Sequence, residues 1–327
     1  MRILISDYPD SMMPDHQLEK DILHAGLGQD TVVDVYPYSD EKREEFLGKL
    51  NAADALLTAF IKVDDEVMAH APNLKVISLN STGYDRVDLA AATRRGIGVC
   101  PVGEYCTSDV AEAAMAFIYA LDKGTKAYGT HIDRDHKWDY TSVVARPRLQ
   151  EQTVGIFGFG KIGKCIARKL TGLVRQILVC DPYIGVEAAA ANGARLVEKN
   201  ELLASSDVIV NVMLLTPETK YYFDGPAFEA MKRQPIFVNM SRGLCVKEDD
   251  LVKALDSKRL YGYAADVLAD ETPDLAHHPL VGRENVLLTP HSAFYSTTSL
   301  QLLERISSEN IVHYLKAEKD RVFKLVN

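Results

Sequence analysis

The stretch "TVGIFGFGKIGKCIARKL", Thr153 to Leu170, decides the fold. An apolar β-rich run, a glycine turn and an amphipathic segment follow one another directly, with Gly158, Gly160 and Gly163 in G-x-G-x-x-G spacing. In that context the first glycine allows a tight turn, the second lets the backbone approach a pyrophosphate, and the third lets the helix pack on the strand. Amides at the helix N-terminus then hold phosphate oxygens. A glycine triplet alone also fits a turn with no ligand. Asp181 argues for the ligand: it ends the next β-rich run, "QILVCD", eighteen positions after Gly163, where an acid bonds a ribose 2′-hydroxyl. A carboxylate there repels a 2′-phosphate, and "DPYIGVEAAAA", Asp181 to Ala191, has no lysine or arginine, so NAD is expected over NADP.

Around this stretch, β-rich runs alternate with helical-period segments. The series that begins at "QTVGIFGFG" continues through "QILVCD", "ARLV", "DVIVNVM", "PIFVNMS", "LYGYAADV" and "NVLLTP". An earlier series, "RILIS", "VVDVY", "ALLTAF", "LKVISLN" and "GVCP", ends near residue 100. Strand and helix taking turns across short connections signals parallel sheets with crossover helices. Between the series lies "TSDVAEAAMAFIYALDKGTKAYG", with Thr107 or Ser108 as N-cap candidates and apolar residues on nearly every face from Val110 to Leu121. Such a helix is expected to be buried on all sides, between domains or at a subunit interface. Residues 130–150 read as a polar loop. The last segment, "TSLQLLERISSENIVHYLKA", places Leu300, Leu303, Ile306, Ile311 and Leu315 at helical spacing and could return the chain to the first domain.

The expected fold is α/β, with two αβα domains built on parallel sheets and a Rossmann domain, residues 102–293, inserted into a flavodoxin-like substrate domain, residues 1–101 and 294–327. A chain of 327 residues is ample for two cores. Its net charge of −9 gives no footprint for nucleic acid or an acidic membrane surface. No apolar run approaches the roughly 20 residues that span a bilayer, and "MRILISDYPD" is too short in apolar character for a secretory signal. Five scattered cysteines without a Cys-x-x-Cys pair disfavour a disulfide framework or a zinc site, and no metal is expected. A reducing cytoplasm fits best.

Three further motifs end predicted strands in order: "NMSRG", "AADVLADETP" and "LLTPHSAF". With the glycine loop, the chain closely resembles the D-isomer-specific, NAD-dependent 2-hydroxyacid dehydrogenases over essentially its whole length. The resemblance implies that Arg242 binds the substrate carboxylate and carbonyl oxygen, that His291 gives and takes the proton, and that Glu271 is its partner. It implies that Asp266 contacts the nicotinamide end, that Thr216 and Pro217 form a loop beside the cofactor, and that backbone amides of Ser81, Thr82 and Gly83 hold the substrate carboxylate. Lys161 and Ile162 in the glycine loop, Met240 before "SRG" and Ser292 after His291 complete the expected cofactor contacts. A homodimer is implied as well.

Reduction of a 2-oxo acid leaves negative charge on the C2 oxygen, so a proton donor that titrates near neutrality is required, and histidine is that residue. A carboxylate substrate asks for the planar, permanently charged fork of arginine. Glutamate orients the imidazole and favours its charged form. Singly, each residue has an ordinary structural reading: Arg242 in a helix-end ion pair, Glu271 a solvated acid, His291 a core histidine. Their joint order at strand ends, where α/β ligands gather, favours catalysis. His277 and His278 are adjacent and should point apart.

Some positions depart from family patterns. The aromatic pair in "HSAFYS" resembles the D-lactate-type branch. "LTAFIKVDDEV" resembles the phosphoglycerate dehydrogenase segment, but Thr58 stands where that segment has arginine, and Phe60 is added; an unphosphorylated substrate is expected. The alternatives are a phosphoglycerate- or hydroxypyruvate-type dehydrogenase, or an NAD-sensing corepressor of the same fold. Formate dehydrogenases carry glutamine where Glu271 stands.

Overall fold

The computed structural model describes all 327 residues. Twelve strands form, one at each predicted run: β1 (Arg2–Asp7), β2 (Val32–Pro37), β3 (Ala55–Thr58), β4 (Val76–Leu79), β5 (Gly98–Pro101), β6 (Thr153–Phe157), β7 (Gln176–Cys180), β8 (Arg195–Leu196), β9 (Val208–Asn211), β10 (Ile236–Asn239), β11 (Gly262–Ala265) and β12 (Val286–Leu288). All pairings are parallel. Most central strands are buried throughout because helices cover both faces of each sheet, which leaves no solvent face to alternate toward.

The chain divides into two compact units, Met1–Tyr105 with Ser296–Asn327, and Cys106–Tyr295. The divisions fall a few residues beyond 101 and 293, because Val102 still bonds to Ser81 of the first unit and Tyr295 to Ser292 of the second.

In the first unit the strand order is β2-β1-β3-β4-β5, the flavodoxin-like order. Leu4, Leu56, Ile77 and Val99 face one layer, and Ile3, Ile5, Leu57 and Val76 face the other, where Leu23, Ile311 and Val312 meet them. The helix Thr297–Leu315 carries those last two residues; it starts at a Ser296/Ser299 capping box and packs on the helix Gln17–Leu27 and on β4. Its buried face differs from the apolar spacing. Leu303 and Ile311 are buried, but so are Ser307, Ser308 and Asn310, while Leu300, Ile306 and Leu315 are half-buried. Two of these side chains are bonded, Ser307 Oγ donating to the Glu304 carbonyl at 3.2 Å and Asn310 Oδ1 accepting from Phe323 N at 2.8 Å, whereas Ser308 Oγ and Asn310 Nδ2 are buried without a partner.

In the second unit the order is β12-β11-β10-β9-β6-β7-β8, a Rossmann order with one added edge strand. The order reverses between β6 and β9, which places the turn after β6 at the topological switch point. The helix Thr107–Asp122 corrects one expectation. Its N-cap is Cys106, so Thr107 and Ser108 lie inside it. Within the chain it is buried on one broad face, against the helix Lys161–Leu170 and strands β10 and β11, while Glu112, Ala116, Tyr119 and Lys123 form an exposed stripe. Gly124, at φ 62°, ends it, and a separate helix, Thr125–Asp133, occupies the start of the predicted loop.

Candidate active site

The glycine turn is shaped as its spacing predicts. Gly158 takes φ 86°, and a Cβ at Gly163 would collide with the Gly158 carbonyl, so helix and turn approach as only glycine allows. At Gly160, by contrast, a Cβ would meet nothing within 4 Å. That open space sits at the N-cap of the helix Lys161–Leu170, whose first residues are Lys161 and Ile162, and it fits a dinucleotide's phosphates. Asp181 follows β7 and accepts from Phe159 N at 2.6 Å and Tyr183 N at 2.8 Å. It thus clasps the glycine turn while half-exposed at the strand end.

Two buried asparagines, unremarked in the sequence, build the next part of the site. Asn211 ends β9 and Asn239 ends β10, and Asn211 Nδ2 donates to Asn239 Oδ1 at 3.0 Å. Each then fixes the turn beyond its strand: Met213 N donates to Asn211 Oδ1 at 3.1 Å, and Asn239 Nδ2 donates to the Arg242 carbonyl at 3.1 Å. Ser241 Oγ bonds to the Met213 carbonyl and joins the two turns. Arg242 and the buried Met240 are held on this frame, and Thr216 with Pro217 lies in the neighbouring turn, which Thr219 closes by bonding to Leu214 O at 2.6 Å. Asparagine is poorly suited to strands, so "VIVN" and "IFVN" carried a readable signal.

His291 lies after β12 with φ 52°, a left-handed backbone that a non-glycine residue adopts only when its surroundings impose it. Asp266 imposes it. This buried carboxylate accepts from Thr289 Oγ1 at 2.5 Å, Ser292 N at 2.8 Å and Ala293 N at 2.9 Å, and the Asp266 carbonyl accepts from His291 N at 2.8 Å. The side chain expected at the nicotinamide end is therefore committed to the histidine loop, Ser292 included. His291 Nδ1 stands 3.1 Å from Glu271 Oε2. The histidine is about one-third exposed, so its other ring nitrogen can reach a substrate while the pair remains partly desolvated.

Ser81, Thr82 and Gly83 belong to the first unit, beyond β4, where Ser81 Oγ donates to Gly83 O at 2.7 Å and Thr82 Oγ1 to Gly103 O at 3.2 Å. Nearby strand ends in the same unit meet around Asp7, which ends β1. Its carboxylate accepts from Ala59 N at 2.5 Å and Phe60 N at 3.0 Å, with Thr58 Oγ1 at 3.4 Å. Burial raises this carboxyl above its usual range despite the opposing bonds from Phe60, Tyr8, Ala59 and Thr58.

Comparison with known proteins places this geometry. The family model described as the NAD-binding domain of D-isomer specific 2-hydroxyacid dehydrogenases matches residues 115–293. A glyoxylate reductase of Thermofilum pendens is 34% identical over 282 residues, 84% of this chain and 82% of that one. A hydroxypyruvate reductase of Blautia hydrogenotrophica is 30% identical over 301 residues, 89% and 90% of the two chains. A D-lactate dehydrogenase of Aquifex aeolicus, solved with NAD and lactic acid, shares the fold with a TM-score of 0.85 at 24% identity, over 98% of this chain and 97% of that one. The chain belongs to the D-isomer-specific 2-hydroxyacid dehydrogenases and is an NAD-dependent oxidoreductase of that family.

Proposed function

We propose that this enzyme reduces a small, unphosphorylated 2-oxo acid with NADH to the D-2-hydroxy acid, reversibly. The observation that carries the reading is the His291–Glu271 pair at 3.1 Å on a loop strained into place by Asp266. NADH, when bound, supplies the hydride to C2. His291 donates a proton to the C2 oxygen as negative charge gathers there, and Glu271 stabilises the imidazolium beforehand. Arg242 grips the carboxylate and the carbonyl oxygen through its planar fork. In the reverse direction the neutral imidazole accepts the hydroxyl proton.

The choice of an unphosphorylated substrate rests on Thr58 and Asp7. Where a phosphate-binding arginine would stand, the first unit holds a buried threonine beside a buried carboxyl group, which gives a phosphate no counter-charge. The names of the two relatives, a glyoxylate reductase and a hydroxypyruvate reductase, point to small acids of the same kind. The test is NADH oxidation with glyoxylate, hydroxypyruvate, pyruvate, phenylpyruvate, 2-oxoisocaproate and phosphohydroxypyruvate. Glyoxylate, hydroxypyruvate or pyruvate should give the highest kcat/KM, and a best rate with phosphohydroxypyruvate overturns this pocket reading.

A further inference from the structure

Glu271 sits in the long irregular stretch between β11 and β12, and the strands alone do not hold it in position. Its nearest acids, Asp270 and Asp274, are turned to local uses. Asp270 accepts from Thr272 N at 2.9 Å and Thr272 Oγ1 at 3.1 Å, and Asp274 accepts from Ala276 N at 3.1 Å and faces His277 Nδ1 at 2.7 Å. One carboxylate from outside meets the stretch on both sides of Glu271, by a hydrogen bond before it and a longer contact after it. Glu248, the first residue of the helix Glu248–Asp256, accepts from Ala269 N through Oε1 at 2.9 Å, two residues before Glu271. Its Oε2 stands 3.6 Å from His278 Nε2, seven residues after Glu271. Leu280 N donates to His278 Nδ1 at 3.3 Å, so the ring's hydrogen lies on Nε2 and faces the carboxylate. Both side chains are mostly buried.

The anchor is well placed. The helix that carries Glu248 begins just beyond the Arg242 turn, and that turn is locked against the same stretch: a Cβ at Gly243 would overlap the backbone of Leu268 and Ala269. We infer that Glu248 is a positioning residue, which holds the Glu271 loop by its Ala269 amide so that Glu271 stays in contact with His291. The inference rests on the proposed His291–Glu271 partnership.

Two substitutions separate reach from charge. Glu248→Asp keeps the charge but is one methylene too short for Ala269 N, whereas Glu248→Gln keeps the acceptor without the charge. Reduction rates with NADH and the best 2-oxo acid are measured from pH 5 to 9 beside Glu271→Gln and the Glu271→Gln/Glu248→Asp double variant, with Tm for each. Loss of the Glu271 charge should move the descending limb to lower pH. Glu248→Asp should move it in the same direction with little change in Tm or in NADH affinity, Glu248→Gln should restore it, and the double variant should match Glu271→Gln because both changes act through one group. A displaced Glu271→Gln limb beside a wild-type Glu248→Asp limb overturns the inference alone. A Glu271→Gln profile that superimposes on wild type overturns the partnership beneath it. Additive displacement in the double variant also overturns the inference, since Glu248 would then act independently.

Discussion

His291 combines a left-handed backbone with a carboxylate contact, and the two features have different chemical consequences. The backbone, imposed through Asp266, fixes where the ring points; the contact with Glu271 at 3.1 Å holds one ring nitrogen and leaves the other for a substrate. Under the proposed mechanism reduction would use the imidazolium and should lose efficiency as pH rises, while oxidation would use the neutral ring and should lose efficiency as pH falls. One group then accounts for both limbs. His291→Ala should abolish both limbs and lower the rate about 10²- to 10⁴-fold, the usual range for a positioned acid-base group, while NADH fluorescence titration shows cofactor binding nearly unchanged. Retention of a wild-type limb in that variant would assign the titration elsewhere. The place of this histidine was legible because "TPHSAF" follows a predicted strand. The strain was not, since no local residue pattern reports that an aspartate twenty-five positions earlier will bond to the loop.

At the scale of elements, the helix Thr107–Asp122 shows what spacing conveys and what it omits. Its apolar content announced a packed helix, yet its C-terminal end is held by charge. Arg146 Nε donates to Asp122 Oδ1 at 3.1 Å, Gln152 Nε2 donates to the same oxygen at 2.7 Å, and Lys123 Nζ lies 2.8 Å from Oδ2. Arg146 Nη2 also reaches the Asp207 carbonyl at 2.9 Å, ahead of β9. Burial alone would raise the Asp122 carboxyl, but the bonds from Lys123, Gln152 and Arg146 outweigh it and hold the group below its usual range. A depressed folded value means that the stabilisation is present above the unfolded carboxyl's ~3.9 and is lost as pH falls through the lower folded value. Asp122→Asn should therefore cost about 3 kcal/mol near neutrality, the scale for leaving a buried charge without its partner, and the gap to wild type should narrow below about pH 4. Urea midpoints from pH 2.5 to 7 check this; a gap that stays constant to the lowest pH would exclude Asp122 as the titrating group. Such partners sit 24 and 30 residues apart in sequence, beyond any helical or strand period, so pattern reading passes over them.

At the scale of the whole molecule, strand existence and order class were legible because buried parallel strands are written as continuous apolar runs, and each hydrophobic cluster stays within one of the two units. The cofactor half was the most legible part, since three glycines and one acid occupy a fixed stretch of β6, turn, helix and β7. That half also offers a linkage test. A ligand that binds only the folded protein stabilises it by an amount set by its concentration relative to Kd, about 2.7 kcal/mol at one hundred times Kd. NADH at that level should slow hydrogen exchange of the strand amides in Cys106–Tyr295 by a corresponding factor of about 100, where 1.4 kcal/mol is tenfold. NADPH at the same concentration carries a 2′-phosphate toward Asp181, and with no lysine or arginine from Asp181 to Ala191 nothing there offsets the repulsion. A preference of at least about 10²-fold, the worth of a few kcal/mol of unscreened charge conflict, would leave NADPH with almost no protective effect. Asp181→Ser removes the conflict and should bring NADPH protection close to that of NADH while NADH itself loses its ribose contact. Equal protection of the unaltered protein by both cofactors would show that Asp181 clasps the glycine turn through Phe159 N without reading the ribose at all.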